Sequence, residues 1–95
     1  MVSPNYISET HILRRIANDP DCRWIFTHHA KVEMAKDRRT APDIQHALMN
    51  GHVTLQEFKK DRLWRIEGRD LDGKRVQVVA AVYEDAIAIK VVTSF

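Results

Sequence analysis

His29, Glu33 and Lys36 are spaced four and three residues apart, the interval that brings side chains to one side of an α-helix. An imidazole titrates near neutrality and suits moving a proton to or from a ribose or phosphate oxygen, while a lysine or arginine offsets the charge that develops on phosphorus. The three therefore form a candidate acid/base group. A second group is basic: from Lys59 to Arg75 the chain carries Lys59, Lys60, Arg62, Arg65, Arg69, Lys74 and Arg75 against four acids. Arg65 and Arg69, four residues apart in an alternating segment, project from the same side of a strand and can hold phosphates. Plainer roles fit the same residues: a histidine beside a helix cap that packs its ring, and cations that keep a sheet surface from aggregating.

Other chemistries find little support. His28 and His29 are adjacent and point apart on a helix, and His11, His46 and His52 lack ligand spacing, so neither a metal site nor a cofactor is expected. Cys22 is the only cysteine, which excludes an internal disulfide framework, fits a reducing compartment and leaves a nucleophile without a partner. "GRDLDG" reads as a strand entering a hairpin rather than a phosphate-cradling strand-to-helix loop. The first residues lack a basic region followed by an apolar run, and eighteen consecutive apolar residues occur nowhere. A cytoplasmic protein that does not engage a membrane is expected. The net charge of +2 is too mild to announce a nucleic-acid partner by itself; the placement of the charges matters more.

These residues need elements to position them. In "SETHILRRIANDP" Ser8 is a candidate cap for a helix with Ile12, Leu13 and Ile16 as its apolar stripe, and Asp19, Pro20 and Asp21 end it. Thr27 is the candidate cap of a second helix from about His28 to Arg38, with Ala30 and Met34 as its buried pair. The third helix has the clearest signals: Thr40 and Asp43 at capping-box spacing, Pro42 in the first turn, Gly51 as the stop, and Ile44, Ala47 and Leu48 on one face.

From His52 onward the period changes to two. "HVTLQEF", "RLWRIEGRD", "KRVQVVAAVYE" and "AIAIKVVTSF" read as four strands, with "DLDG" and "ED" among the turns. The fold class is α+β: two to three N-terminal helices packed on one face of a four-stranded antiparallel meander. "KRVQVVAAVYE", apolar on nearly both faces, belongs at its centre. The 95 residues make one domain, short enough to gain from a partner or from self-association as a homodimer.

"FTHHAKVEMAKDRRTAPDIQHALMNGHV", then "LWRIEGRDLDGKRVQVVAAV" and a closing "IKVVTSF", resembles the bacterial family labelled domain of unknown function 4258. The likeness is carried, in order, by His29, Ala30, Met34, Leu48, Gly51, Gly68, Asp72, Gly73, Thr93 and Phe95, and it covers about residues 24 to 95, leaving residues 1 to 20 as a helical extension. Such proteins are similar to the RelE/BrnT-like toxins of toxin–antitoxin systems. The resemblance implies a metal-independent ribonuclease whose partners are RNA and a cognate antitoxin-like protein. On that reading His29 is acid or base, Arg65, Arg69, Lys59 and Lys36 grip phosphate, and Tyr83 is a spare proton donor. Many relatives carry Arg where Glu33 stands. That substitution and the mild net charge suit an alternative, a non-catalytic binding or inhibitor module acting on a protein partner.

Overall fold

Alternation in the last half of the chain produces strands, and their partners decide which faces are buried. The computed structural model describes residues 4–95, so Met1 to Ser3 of the N-terminal extension lie outside it. A short 3-10 turn, Pro4–Tyr6, leads into α1 (Ile7–Ala17); β1 (Arg23–Phe26), α2 (His28–Lys36) and α3 (Ala41–Asn50) follow, then β2 (His52–Phe58), β3 (Arg62–Arg69), β4 (Arg75–Tyr83) and β5 (Ala88–Ser94). The strands form one sheet in the order β1-β5-β4-β3-β2. The α+β class with helices on one face is what the sequence predicts, and "KRVQVVAAVYE" is the central strand.

The sheet has five strands rather than four, and it is mixed. "RWIF", outside the four strands expected from sequence, is strand β1 and runs parallel to β5, pairing Arg23 with Ala88 and Phe26 with Val91. Four residues are too few for a periodic signal to stand out. The partner is also more than sixty residues away, beyond any local turn signature. Side chains nevertheless alternate as a strand requires: Trp24 and Phe26 pack against the core while Arg23 and Ile25 face out.

Helix boundaries follow their caps. Thr27 accepts a hydrogen bond from the Ala30 amide, and its hydroxyl donates to the Val92 carbonyl, tying α2 to β5. The helix ends at Lys36, short of the expected Arg38, because Arg38 takes a left-handed conformation at φ 55°. Thr40 and Asp43 form a reciprocal capping box at the start of α3, which satisfies two otherwise orphaned amides. Helix α1 starts one residue before Ser8, and its N-cap is Tyr6, whose side chain makes no cap bond among the described residues. The hydroxyl inside this helix that matters is that of Thr10, fully buried and accepting from the Val53 amide at 3.0 Å. A backbone donor of edge strand β2 is thereby satisfied.

The core lies between the helices and one sheet face: Leu13, Ile44 and Leu48 meet Trp64, Ile66, Val78 and Ile89, all at 1% exposure or less. Two glycines let α3 approach β3. A Cβ on Gly68 would lie 2.0 Å from the Ala47 carbonyl oxygen, and one on Gly51 would lie 2.6 Å from the same atom. Gly51 has φ −79°, open to any residue, so its role as the stop of α3 is one of space rather than of left-handed geometry.

One core position breaks the pattern. Ser94 faces the core opposite Val78, is fully buried, and its hydroxyl has no hydrogen-bond partner among the described residues. An unsatisfied buried hydroxyl costs about 1–3 kcal/mol. Ser94→Ala is therefore expected to stabilise the domain by about 1 kcal/mol in urea denaturation; destabilisation of that size would mean that the hydroxyl has a partner in solution.

Candidate functional site

The sheet face away from the helices carries the groups able to bind or transform a ligand. The register sets its rows: Leu55, Arg65, Val79 and Thr93 in one, Glu57, Leu63, Ala81, Lys90 and Ile25 in the next. Arg23, Tyr83, Arg69, Arg75, Glu67 and Gln77 share this side by strand alternation. The basic members Arg23, Arg65, Arg69, Arg75 and Lys90 outnumber the acids.

At one end of this face three polar groups converge. The Tyr83 hydroxyl donates to Asp61 Oδ2 at 3.1 Å and the Lys90 ammonium donates to the same oxygen at 3.0 Å. Asp61 comes from the β2–β3 hairpin, Tyr83 from the end of β4 and Lys90 from β5. The hydrogen bonds from Lys90 and Tyr83 hold the Asp61 carboxyl below the usual carboxylate range. The same contacts, with Asp61 first and Tyr83 second, raise Lys90 above the ordinary lysine value. Both shifts favour the charged forms, so at neutral pH Asp61 is a carboxylate and Lys90 an ammonium.

Arg65 stands in the neighbouring row, half-buried in the middle of the face. Its Nε is buried without a hydrogen-bond partner among the described residues, and its guanidinium lies 5.7 Å from the centre of the Phe95 ring. No ion-pair partner engages it among the described residues. Strand spacing of ~4.8 Å and rise of ~3.3 Å put its Cα roughly 12 Å from that of Lys90. Long side chains can span that gap to one ligand.

The other residues singled out from sequence are dispersed. His29 is exposed in the first turn of α2, so it belongs to the helix layer, whereas Arg65 points from the opposite side of the sheet. Lys36 pairs with Glu33 at 3.4 Å, and no hydrogen bond joins His29 to either of them among the described residues. Lys59 is exposed in the β2–β3 hairpin, 3.8 Å from Glu57. Arg69 shares the face of Arg65 but sits ~13 Å along the strand, where it donates to the Gly73 carbonyl. Tyr83 is therefore the predicted catalytic residue with polar partners around it.

Sequence reasoning missed Asp61 and Lys90. Lys90 did leave a signal, being the sole charged residue in "AIAIKVVTSF". Asp61, inside the run "KKDR", left none. Cys22 is no rival: burial, with Asp19 nearby, pushes its thiol up and keeps it protonated.

A separate polar hollow of about 380 Å³ lies between the α2–α3 loop and the β3–β4 hairpin, lined by Arg38, Arg39, Asp43, Asp70, Asp72 and Lys74 among others. Its chemistry is largely internal. Asp70, 4% exposed, accepts from the Asp72 and Lys74 amides and pairs with Arg39, while Asp43 accepts from the Leu71 amide. These contacts hold the "DLDG" turn, where Gly73 has φ +77°.

No helix among the described residues is long and apolar enough to cross a membrane. No curated protein and no solved structure matches the chain. The profile of the family described as Domain of unknown function (DUF4258) matches residues 26–95, well over half of the chain, from the last residue of β1 through β5 to Phe95. On that match, the chain belongs to the DUF4258 family.

Proposed function

We propose that this protein is a metal-independent ribonuclease of the toxin kind, with its reaction centre at Asp61, Tyr83 and Lys90 and with Arg65 as a phosphate clamp. The carrying observation is the convergence of a phenol and an ammonium on one carboxylate oxygen, at 3.1 and 3.0 Å, on the sheet face that the helices leave open. The toxin kinship rests on the sequence resemblance and the chemistry rests on this cluster.

In the proposed reaction Asp61 takes the proton of a ribose 2′-hydroxyl as its oxygen bonds to the adjacent phosphorus. The bond from phosphorus to the 5′-oxygen breaks and Tyr83 gives its proton to that oxygen. Lys90 and Arg65 offset the charge on the phosphoryl oxygens. The products are a 2′,3′-cyclic phosphate and a 5′-hydroxyl. The proton held by Asp61 then returns to Tyr83 along their hydrogen bond, which resets the site.

The test is a labelled RNA incubated with purified protein in the presence of chelator. Cleavage to cyclic-phosphate ends is expected, reduced about 100-fold in Tyr83→Phe, in line with the usual worth of a general acid, and unchanged in His29→Ala. The pH profile separates the two chemistries. Asp61 must be ionised, and its carboxyl lies below the usual range, so the rate should hold across neutrality and fall only in acid as Asp61 takes up its proton. Histidine catalysis would instead bend the profile near about pH 6.5. Absence of cleavage by folded protein, or cleavage lost in His29→Ala but kept in Tyr83→Phe, would overturn the proposal.

One observation favours a second reading. Ile25, Leu55 and Phe95, at 44%, 37% and 52% exposure, are large apolar side chains on the same face, and they suit a non-catalytic module that docks a protein partner there.

A further inference from the structure

We infer that the open sheet face takes single-stranded RNA, stacking an unpaired base on the Phe95 ring beside the Arg65 guanidinium; this rests on the ribonuclease reading of the same face. Three observations converge. Phe95 is a half-exposed aromatic on this face, 52% accessible, and the Arg65 guanidinium lies 5.7 Å from its centroid. Arg65 has neither an acid nor an acceptor among the described residues, and its buried Nε leaves the terminal nitrogens as the groups that face a ligand. Phe95 is anchored through its backbone, exchanging two hydrogen bonds of 2.8 Å with Gln77, so the ring is presented from a fixed strand end.

An arginine held beside an aromatic ring offers a planar, positively charged platform. A base stacks on such a surface through its π-face whatever its identity, while the neighbouring phosphate meets the cation. Only an unpaired base can reach it. In an A-form duplex the bases are stacked inside, and a protein meets mainly phosphates and 2′-hydroxyls. A surface that bound duplex by charge alone would gain nothing from an exposed phenylalanine.

The platform also has a position relative to the reaction centre. Lys90 lies opposite Ala81 and Phe95 opposite Gln77, with a register shift between them, so the two are roughly 13 Å apart along the strand direction. The Arg65 row falls between them. The stacked base therefore belongs to a nucleotide beyond the one being cleaved, with Arg65 on intervening phosphate, and the strand runs across the sheet from the Tyr83 end towards the β3–β4 hairpin end.

The experiment compares an unstructured RNA oligonucleotide with the same strand annealed to its complement, by fluorescence anisotropy and by cleavage. Wild type, Phe95→Ala and Phe95→Trp are tested, each with its fold checked by circular dichroism. Wild type should bind and cut the single strand in preference to the duplex. Phe95→Ala should weaken single-strand binding about tenfold, within the usual worth of one stacked base, and leave duplex binding unchanged. Phe95→Trp should restore binding, with tryptophan fluorescence quenched by the single strand alone.

Equal handling of the two RNAs together with an unaffected Phe95→Ala would overturn the inference while leaving the ribonuclease reading intact. Conversely, stacking that responds to Phe95 with no cleavage by wild type would support the inference and overturn catalysis. A protein that binds neither RNA would overturn both.

Discussion

Gly68→Ala is expected to lose at least about 3 kcal/mol of folding stability, the upper part of the range for overpacking a close-packed core. The added Cβ would sit 2.0 Å from the Ala47 carbonyl oxygen and 2.8 Å from its carbon, and backbone atoms cannot turn aside as the end of a side chain can. Ala47 is fully buried between α3 and β3, so relief requires the whole helix to lift from the strand. That movement would disturb Ile44 and Leu48, which share its buried face. Since a domain of this size is stable by only about 5–14 kcal/mol, the variant should show a large drop in its urea midpoint. Gly73→Ala is the control: its Cβ meets nothing within 4 Å, and only the positive φ of 77° opposes it, a cost of about 1 kcal/mol. Equal midpoints for the two variants would show that α3 does not rest on Gly68 in solution.

Asp70→Ala is expected to cost about 3 kcal/mol, the lower end of the penalty for removing one partner of a buried ion pair. Its carboxylate is 5% exposed and its Arg39 partner 15%. The bond to Arg39 Nε is long at 3.5 Å, and Arg39 keeps Asp37 and the Arg75 carbonyl as other partners. The larger share of the loss therefore comes from the Asp72 and Lys74 amides, which donate to Asp70 Oδ1 at 3.0 and 2.8 Å and would lose their acceptor. Asp70→Asn, which retains a carbonyl oxygen for those amides, should lose less than half as much. If the two variants melt together, the charge and not the amide bonds holds the turn. In either case Tyr83 and Lys90, at the other end of β4 and β5, should keep their hydrogen bonds to Asp61 in the fraction that remains folded.

Both predictions arise from contacts between elements far apart in the chain, and the same division runs through the site. The capping box of Thr40 and Asp43, the cap at Thr27 and the alternation of Trp64 and Ile66 against Arg65 and Glu67 act over a few residues. Local sequence was enough to read them. The order of the three consecutive antiparallel pairs follows from short turns, so the meander from β2 to β5 was also legible. Gly51 and Gly68 stand out as residues carrying the family likeness, but the reason for them, clearance for Ala47, is visible only when α3 lies on β3.

The parallel strand β1 was not legible because its hydrogen bonds go to β5, across the whole intervening chain. For the same reason the sequence could suggest Tyr83 as a proton donor but not its surroundings: Asp61 reaches it from a different hairpin and Lys90 from a different strand. Helical spacing placed His29, Glu33 and Lys36 on one side of α2, a relation set within nine residues. Whether that side meets Arg65 depends on which face of the sheet the helix covers. By itself the sequence determined the three helices and four of the five strands, the caps at Thr27 and Thr40, the α+β class and which strand residues share a side. Only the tertiary structure decided that α2 covers the apolar side and that Arg65, Tyr83 and Lys90 share the open one, because burying Trp64, Ile66 and Val78 under the helices turns every alternate residue outward.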